Sequence, residues 1–188
     1  MPAERALYRG VSAPLGRHLL TCTDESGIDL AMTRLYGRRP RGERVLGRAP
    51  QHSGRHVTVL GALASTGLEA VMTVEGAPDA DVFRAYVQEG LGPTPREGDI
   101  VVADNLSAHK AAGVREAVAA TGARLLCLPP HSPDLNPLGQ GRSQIKTCLR
   151  AAQARPRTAI DEAVTRAPAT ITEAGARAWF AHCGYVLH

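Results

Sequence analysis

Two carboxylates stand where a buried chain tolerates them least. Asp24 closes the run Leu19 to Thr23, and Asp104 closes the apolar run Ile100 to Ala103. A charge at the exit of a buried strand is costly unless it meets a cation or hydrogen-bond donors. If the two strands are neighbours, the carboxylates repel each other unless a divalent metal lies between them. That is the arrangement of two-metal phosphoryl transfer, in which ions about 4 Å apart serve the attacking and leaving oxygens. Acidic strand ends are also ordinary caps, and the pattern alone leaves both readings open. Ser26, His109 and Asp104 have the residue types of an acyl-transfer triad, but no Gly-x-Ser-x-Gly supports one. No Gly-rich phosphate loop of the Walker type is present.

The elements that would position these residues change character along the chain. Residues 1–16 show no steady period and read as an N-terminal tail or remnant, leaving 17–188 as the domain. The run His18 to Asp24 is β-like, Glu25 to Gly27 reads as a turn, and Ile28 to Leu35 reads as a returning strand. A long loop follows, punctuated by Pro40, Gly42, Gly47, Pro50 and Gly54. His56 to Ala64 and Leu68 to Val74 complete an antiparallel meander. Residues 79–91 have helical spacing with Asp79 as N-cap. Ile100 to Asp104 and Leu125 to Leu128 look like strands buried on both faces, separated by a helix over 108–121 that Gly122 closes. Helices are expected over 142–154, 158–167 and 172–182. A meander followed by βαβ units and terminal helices is an α/β mixed sheet with helices packed on it.

Length and composition exclude several classes. The chain has 188 residues, of which 44% are hydrophobic, so it can build a core without staples. No apolar run reaches the ~18 residues of a membrane span, and the start lacks a signal-peptide core; the expectation is a cytoplasmic protein. The four cysteines form no CxxC pair, and Cys22 and Cys127 read as core thiols. Nearly all the basic residues are arginine, and seven of them (34, 38, 39, 41, 44, 48 and 55) fall between Arg34 and Arg55 against the single acid Glu43. This local excess on an otherwise near-neutral chain suggests a polyanion partner, and Arg38, Arg39, Arg41 and Arg44 are its candidate DNA-binding residues. A solvated loop without a partner is the plain alternative.

Several segments together resemble one family in order and spacing. They are Asp24 to Gly27, Arg41-Gly42, Val57 to Ala62, Val101 to Lys110, Gly122 to Leu126, the loop Leu128 to Pro137 and the closing Trp179 to Tyr185. The Pro-Pro-x-Ser-Pro-Asp-x-Asn-Pro loop is the most specific of them. The chain resembles the catalytic domain of a DDE-superfamily insertion-sequence transposase, related to mariner elements, over roughly 17–185. The resemblance implies a ribonuclease-H-like mixed sheet flanked by helices and an endonuclease that uses Mg²⁺ or Mn²⁺ for DNA strand cleavage and transfer. It also implies double-stranded DNA as partner, a homodimer as one assembly open to it, and no membrane.

The family's first two acids carry over to Asp24 and Asp104, as catalytic residues and metal ligands. Its third acid, usually Glu in Asn-Pro-Ile-Glu-x-x-Trp, falls on Gly139, and the tryptophan falls on Arg142. Gly141 is a further departure in a helix start, where glycine costs ~1 kcal/mol against alanine. Asp134 is the nearby carboxylate that could replace the missing acid, though its ordinary role is a turn. Glu25 should point away from Asp24 on the strand. Asn105, Asn136 and His109 are candidates for orienting the site, with capping as the plain alternative. The expected activity is therefore impaired cleavage, by a domain expected to lack the helix-turn-helix region that such proteins normally carry before the first acid. The competing expectation is a non-catalytic DNA-binding or regulatory remnant.

Overall fold

The computed structural model describes residues 2–16, 19–29, 31–52, 54, 56–91, 97–106, 109 and 111–185. Arg17, His18, Arg55, Ala108 and Lys110, which figure in the expectations above, lie outside them. Five strands form one mixed sheet: β1 (Leu20–Ile28), β2 (Val57–Ala64), β3 (Gly67–Glu75), β4 (Ile100–Ala103) and β5 (Arg124–Cys127). Their order is β3-β2-β1-β4-β5. β1 is antiparallel to β2 and parallel to β4, and β4 is parallel to β5. The α/β class is as the sequence predicts, and the two acid-bearing strands are neighbours, the condition left open above.

The meander differs in detail. Glu25 to Gly27 is not a turn; β1 runs straight through, pairing Glu25 with Leu60, Ser26 with Val59 and Gly27 with Thr58. The long β2 offers a continuous edge, and satisfying those backbone groups outweighs the local turn preference of Ser-Gly. No strand returns over 28–35 among the described residues. Residues 31–52 carry no helix or strand, and their side chains are almost all exposed. β5 is an edge strand, half-buried rather than covered on both faces, and Cys127 on it is only partly buried.

Alternation along the strands sends side chains into two cores. On one face Leu20, Cys22, Val57, Val59, Ile100 and Val102 pack against α4 (Leu138–Ala152), α5 (Arg157–Arg166) and α6 (Glu173–His182). On the other, Leu60, Ala62 and Val101 meet α2 (Ala80–Ala85), the π-helical turn Tyr86–Leu91 and α3 (Ala112–Ala120). Asp79 caps α2 by accepting from the Val82 amide at 2.9 Å, as its position suggests. Gly122 closes α3 at φ +84. α4 begins at Leu138, four residues earlier than expected, so positions 139, 141 and 142 all lie in its first two turns. Gly141 is accommodated there by α6: a Cβ at 141 would come within 3.5 Å of the Trp179 ring.

Residues 2–12, which show no period as sequence, form α1 (Pro2–Ser12). Burial of Tyr8 and Ser12, four residues apart, gives it a docking stripe. Tyr8 and Tyr185 share a hydrogen bond between their hydroxyls at 2.8 Å, and the Tyr185 hydroxyl donates to the Leu135 carbonyl at 2.8 Å. Arg5 forks onto Asp134 and donates to Ser132 at 2.8 Å. Tyr185→Phe should cost about 1–3 kcal/mol, because it strands a buried carbonyl and a buried hydroxyl. Denaturant unfolding checks this, and a midpoint equal to wild type would show that the Tyr8–Tyr185 pair holds nothing.

Candidate functional site

β1 and β4 pair as Leu20 with Ile100 and Cys22 with Val102, so the register carried two residues further sets Asp24 beside Asp104. Both carboxylates line one cleft of about 390 Å³, with Asn105, the Pro129–Pro133 wall, Asn136 and Arg142. Only Asp104 ends its strand, as the sequence predicts. Asp24 lies within β1, which continues along β2 to Ile28 beyond the stretch that pairs with β4, so the end of β4 brings Asp104 to Asp24 rather than two strand ends meeting.

Asp24 is buried and every contact it makes is a donor. Its Oδ1 accepts from the Glu25 amide at 2.8 Å. Its Oδ2 accepts from Asn136 Nδ2 at 2.9 Å and lies 3.1 Å from Arg142 Nη1. Asn136 is itself fixed, because its Oδ1 accepts from the Leu138 amide at 3.0 Å. Burial raises the Asp24 carboxyl to about 6; Arg142 and the Glu25 amide oppose that rise, and the negative charges of Asp104 and Glu25 add to it. Asn136, a candidate for orienting the site, therefore both holds Asp24 and caps the start of α4.

Asp104 is held from the other side. His109 Nδ1 lies 2.6 Å from its Oδ1, and the Leu106 amide donates to the same oxygen at 3.0 Å. His109 Nε2 is 3.3 Å from Glu25 Oε2. Glu25 thus points to the opposite face from Asp24, as strand alternation requires. The His109 ring is 1% exposed and packs on Phe83 with centroids 4.0 Å apart. Burial alone would lower its pKa, but the hydrogen bond to Asp104, followed by the contacts with Glu25, raises it to about 9. With a carboxylate at each nitrogen, His109 is an imidazolium at neutral pH. Burial alone would raise the Asp104 carboxyl, but the His109 and Leu106 hydrogen bonds hold it below its ordinary value.

Position 139 lies in the first turn of α4, three residues before Arg142, which lines the cleft. A Cβ built there would have the Arg142 guanidinium as its nearest neighbour, at 3.9 Å. Arg142 also donates to the Glu25 carbonyl at 3.0 Å, so its guanidinium bridges the side chain of Asp24 and the backbone beside it. Asp134, the candidate replacement for the missing acid, turns outward to Arg5 at 2.9 Å and does not line the cleft. Arg142 is the residue that sequence reasoning missed in its role. The available signal was a cation three residues after a glycine, at the place where an acid is expected.

A two-ion centre does not fit this donor set. One first-turn acid is absent, and both Asp24 oxygens are engaged by donors, one of them a full cation. Among the described residues no group of three or more His, Cys, Asp or Glu is disposed to hold a metal ion. Arg38, Arg39, Arg41 and Arg44 lie on the exposed 31–52 segment, where Arg39 pairs with Glu43 at 3.1 Å. Leu35, Tyr36 and Leu46 on the same segment are also exposed.

Among solved structures, the chain is similar to the mariner Mos1 paired end complex with Mg (TM-score 0.72, 13% identity, 96% of this chain and 59% of that one). It is similar to the Mos1 paired end complex with Mn (0.69, 15%, 96% and 58%). The catalytic domain of Mos1 mariner transposase alone matches at 0.57 and 14% identity, over 97% of this chain and 91% of that one. At these identities the likeness establishes the fold, which is ribonuclease-H-like, and the chain spans somewhat over half the length of the Mos1 chain in the complexes. No curated protein matches the chain. No helix among the described residues is long and apolar enough to cross a membrane. Residues 19–161 match the family described as DDE superfamily endonuclease, and with the acid-bearing strands paired as that fold requires, the chain belongs to the DDE superfamily.

Proposed function

We propose that this chain is a DDE transposase domain that engages double-stranded DNA but cleaves it poorly. The observation that carries the reading is the pairing of a DDE cleft, with Asp24 and Asp104 in place, with an α4 first turn that presents Gly139 and Arg142 instead of a carboxylate. Asp24 and Asp104 are the residues that would serve chemistry. Asn136 and His109 hold them, and Arg142 neutralises the first. In a complete family site, Mg²⁺ or Mn²⁺ supplies a Lewis acid at the phosphodiester; here the chain's own residues leave that group two partial ligands. A homodimer is the arrangement this reading adopts, and the solved structures similar to the chain include paired end complexes of Mos1.

DNA affinity rests on the exposed arginines. Arg38, Arg39, Arg41 and Arg44 sit on a segment with few other roles, so their side chains can follow phosphates without disturbing the fold. Each phosphate neutralised should add about 0.9 to the slope of log K against log salt. The quadruple variant Arg38→Ala/Arg39→Ala/Arg41→Ala/Arg44→Ala should bind duplex DNA more weakly and lower that slope by about 2–4. Fluorescence anisotropy at several salt concentrations measures both quantities. Identical slopes for the variant and wild type would assign the segment to solvent, and strong Mg²⁺-dependent nicking by the wild-type chain would remove the impaired reading.

A further inference from the structure

We infer that Arg142 is a tethered cation that takes the place of a divalent ion at Asp24, so that the site excludes metal until the guanidinium is removed. The inference rests on the reading above that this cleft descends from a metal-dependent one. It goes further by naming what fills the site now.

Four observations converge. Asp24 is 7% exposed, and a carboxylate so buried needs a compensating charge. The cation it has is Arg142, at 3.1 Å. The guanidinium is anchored at a second point, the Glu25 carbonyl at 3.0 Å, so its place is fixed from two directions. The oxygen it meets, Oδ2, already accepts from Asn136 at 2.9 Å, which leaves that atom little capacity for a further ligand bond. A Mg²⁺ ion needs carboxylate oxygens at about 2.0–2.1 Å in near-octahedral geometry. An ion on Oδ2 would therefore have to displace Arg142, and one on Oδ1, which accepts from the Glu25 amide, would sit beside that like charge. Neutralisation by a covalently attached cation carries no loss of free ligand entropy, and it persists in the presence of chelators.

Gly139 belongs to the same device. Any longer side chain at 139 would project toward the Arg142 guanidinium, its nearest neighbour at 3.9 Å. A carboxylate placed there would pair with Arg142 and draw it off Asp24. With glycine there, the guanidinium makes its contact ion pair with Asp24, while Asp104 feels it only at longer range. The absence of the acid and the presence of the arginine are thus one charge arrangement, with one positive group answering one buried negative group.

The test is a Mn²⁺ titration followed by loss of the free-ion EPR signal, on the full chain without DNA. Wild type should leave Mn²⁺ free into the millimolar range. Arg142→Gln, which keeps a polar stem and removes the charge, should bind one ion at least tenfold more tightly. The added Asp24→Asn change should abolish that binding. If Arg142→Gln proves unfolded without metal, Mn²⁺ should restore its thermal transition, because the ion then supplies the missing charge; failure to restore it would overturn the inference. Equal Mn²⁺ affinity in wild type and a folded Arg142→Gln would also overturn it. A wild type that binds Mn²⁺ tightly yet neither nicks DNA nor loses its salt-dependent DNA affinity would sink this inference alone and leave the impaired-domain reading intact.

Discussion

With supercoiled plasmid and Mn²⁺, the double variant Gly139→Glu/Arg142→Gln should nick DNA at least about 10- to 100-fold faster than wild type. That range is the loss seen when groups that merely support metal ligands are removed, and here a ligand itself is at issue. The single variants should fall well short of their product. Gly139→Glu alone adds a carboxylate whose nearest partner is the Arg142 guanidinium, so it should form an ion pair within one turn of α4. Arg142→Gln alone frees Asp24 but supplies no third acid. Residues that share one partner are coupled, and the coupling should appear as a non-additive double-mutant cycle. The helix itself is no obstacle, because α4 is regular from Leu138 and Gly141 is packed against Leu138, Trp179 and Ile171. If the double variant is as inactive as wild type while binding Mn²⁺, the defect lies elsewhere in the cleft.

His109→Ala should be among the most destabilising single changes in the chain. It removes a cation lying between two carboxylates, at 2.6 Å from Asp104 and 3.3 Å from Glu25, and opens a hole beside Phe83. Breaking a buried pair from one side typically costs about 3–5 kcal/mol; because Asp104 and Glu25 keep some contact with water, the lower end, about 3 kcal/mol, is expected. For a domain of this size that corresponds to a fall in Tm of roughly 6–12 °C. The pH dependence gives an independent reading. The folded pKa of His109 is raised from 6.5 to about 9, so its contribution is fully present below pH 6.5 and is lost as pH rises through 9. Asp24 is raised from 3.8 to about 6, so its ionisation also lowers stability with rising pH, in the earlier window between those values. Wild type should therefore lose stability in two steps, and His109→Gln should lack the later one. A variant that keeps the fall between pH 6.5 and 9 would show that another group produces it.

The β4 strand was legible because a short apolar run that ends on a carboxylate suits a strand buried on both faces. The run before Asp24 reads as ending where β1 in fact continues to Ile28, and its place beside β4 comes from the family resemblance rather than from local pattern. The signature loop was legible as a motif, and its Asn136 indeed reaches Asp24. What local pattern hid was decided by distant partners. Glu25 to Gly27 reads as a turn until β2 is beside it. α1 has no clear period because its docking stripe is only two residues, Tyr8 and Ser12, and its anchors, Ser132, Asp134 and Tyr185, lie at the far end of the sequence. α4 was expected to start late because Gly139 and Gly141 weaken its first turns, yet Asn136 accepts from its first amide and Gly141 packs closely among Leu138, Trp179 and Ile171. The Arg142–Asp24 contact joins residues from opposite ends of the domain, and no periodicity marks such a pair.

Gly139 and Arg142 also bear on the routes by which this sequence could drift. A lineage that first regained an acid at 139 would gain an ion pair with Arg142, favourable to the fold and useless for cutting DNA. One that first lost the arginine would leave Asp24 buried without a counter-charge, at a cost to the fold. If Arg142 holds Asp24 as inferred, neither first step alone assembles a three-acid site, and positions 139 and 142 have to change together for one to form. The way back then runs through two residues on one turn of α4.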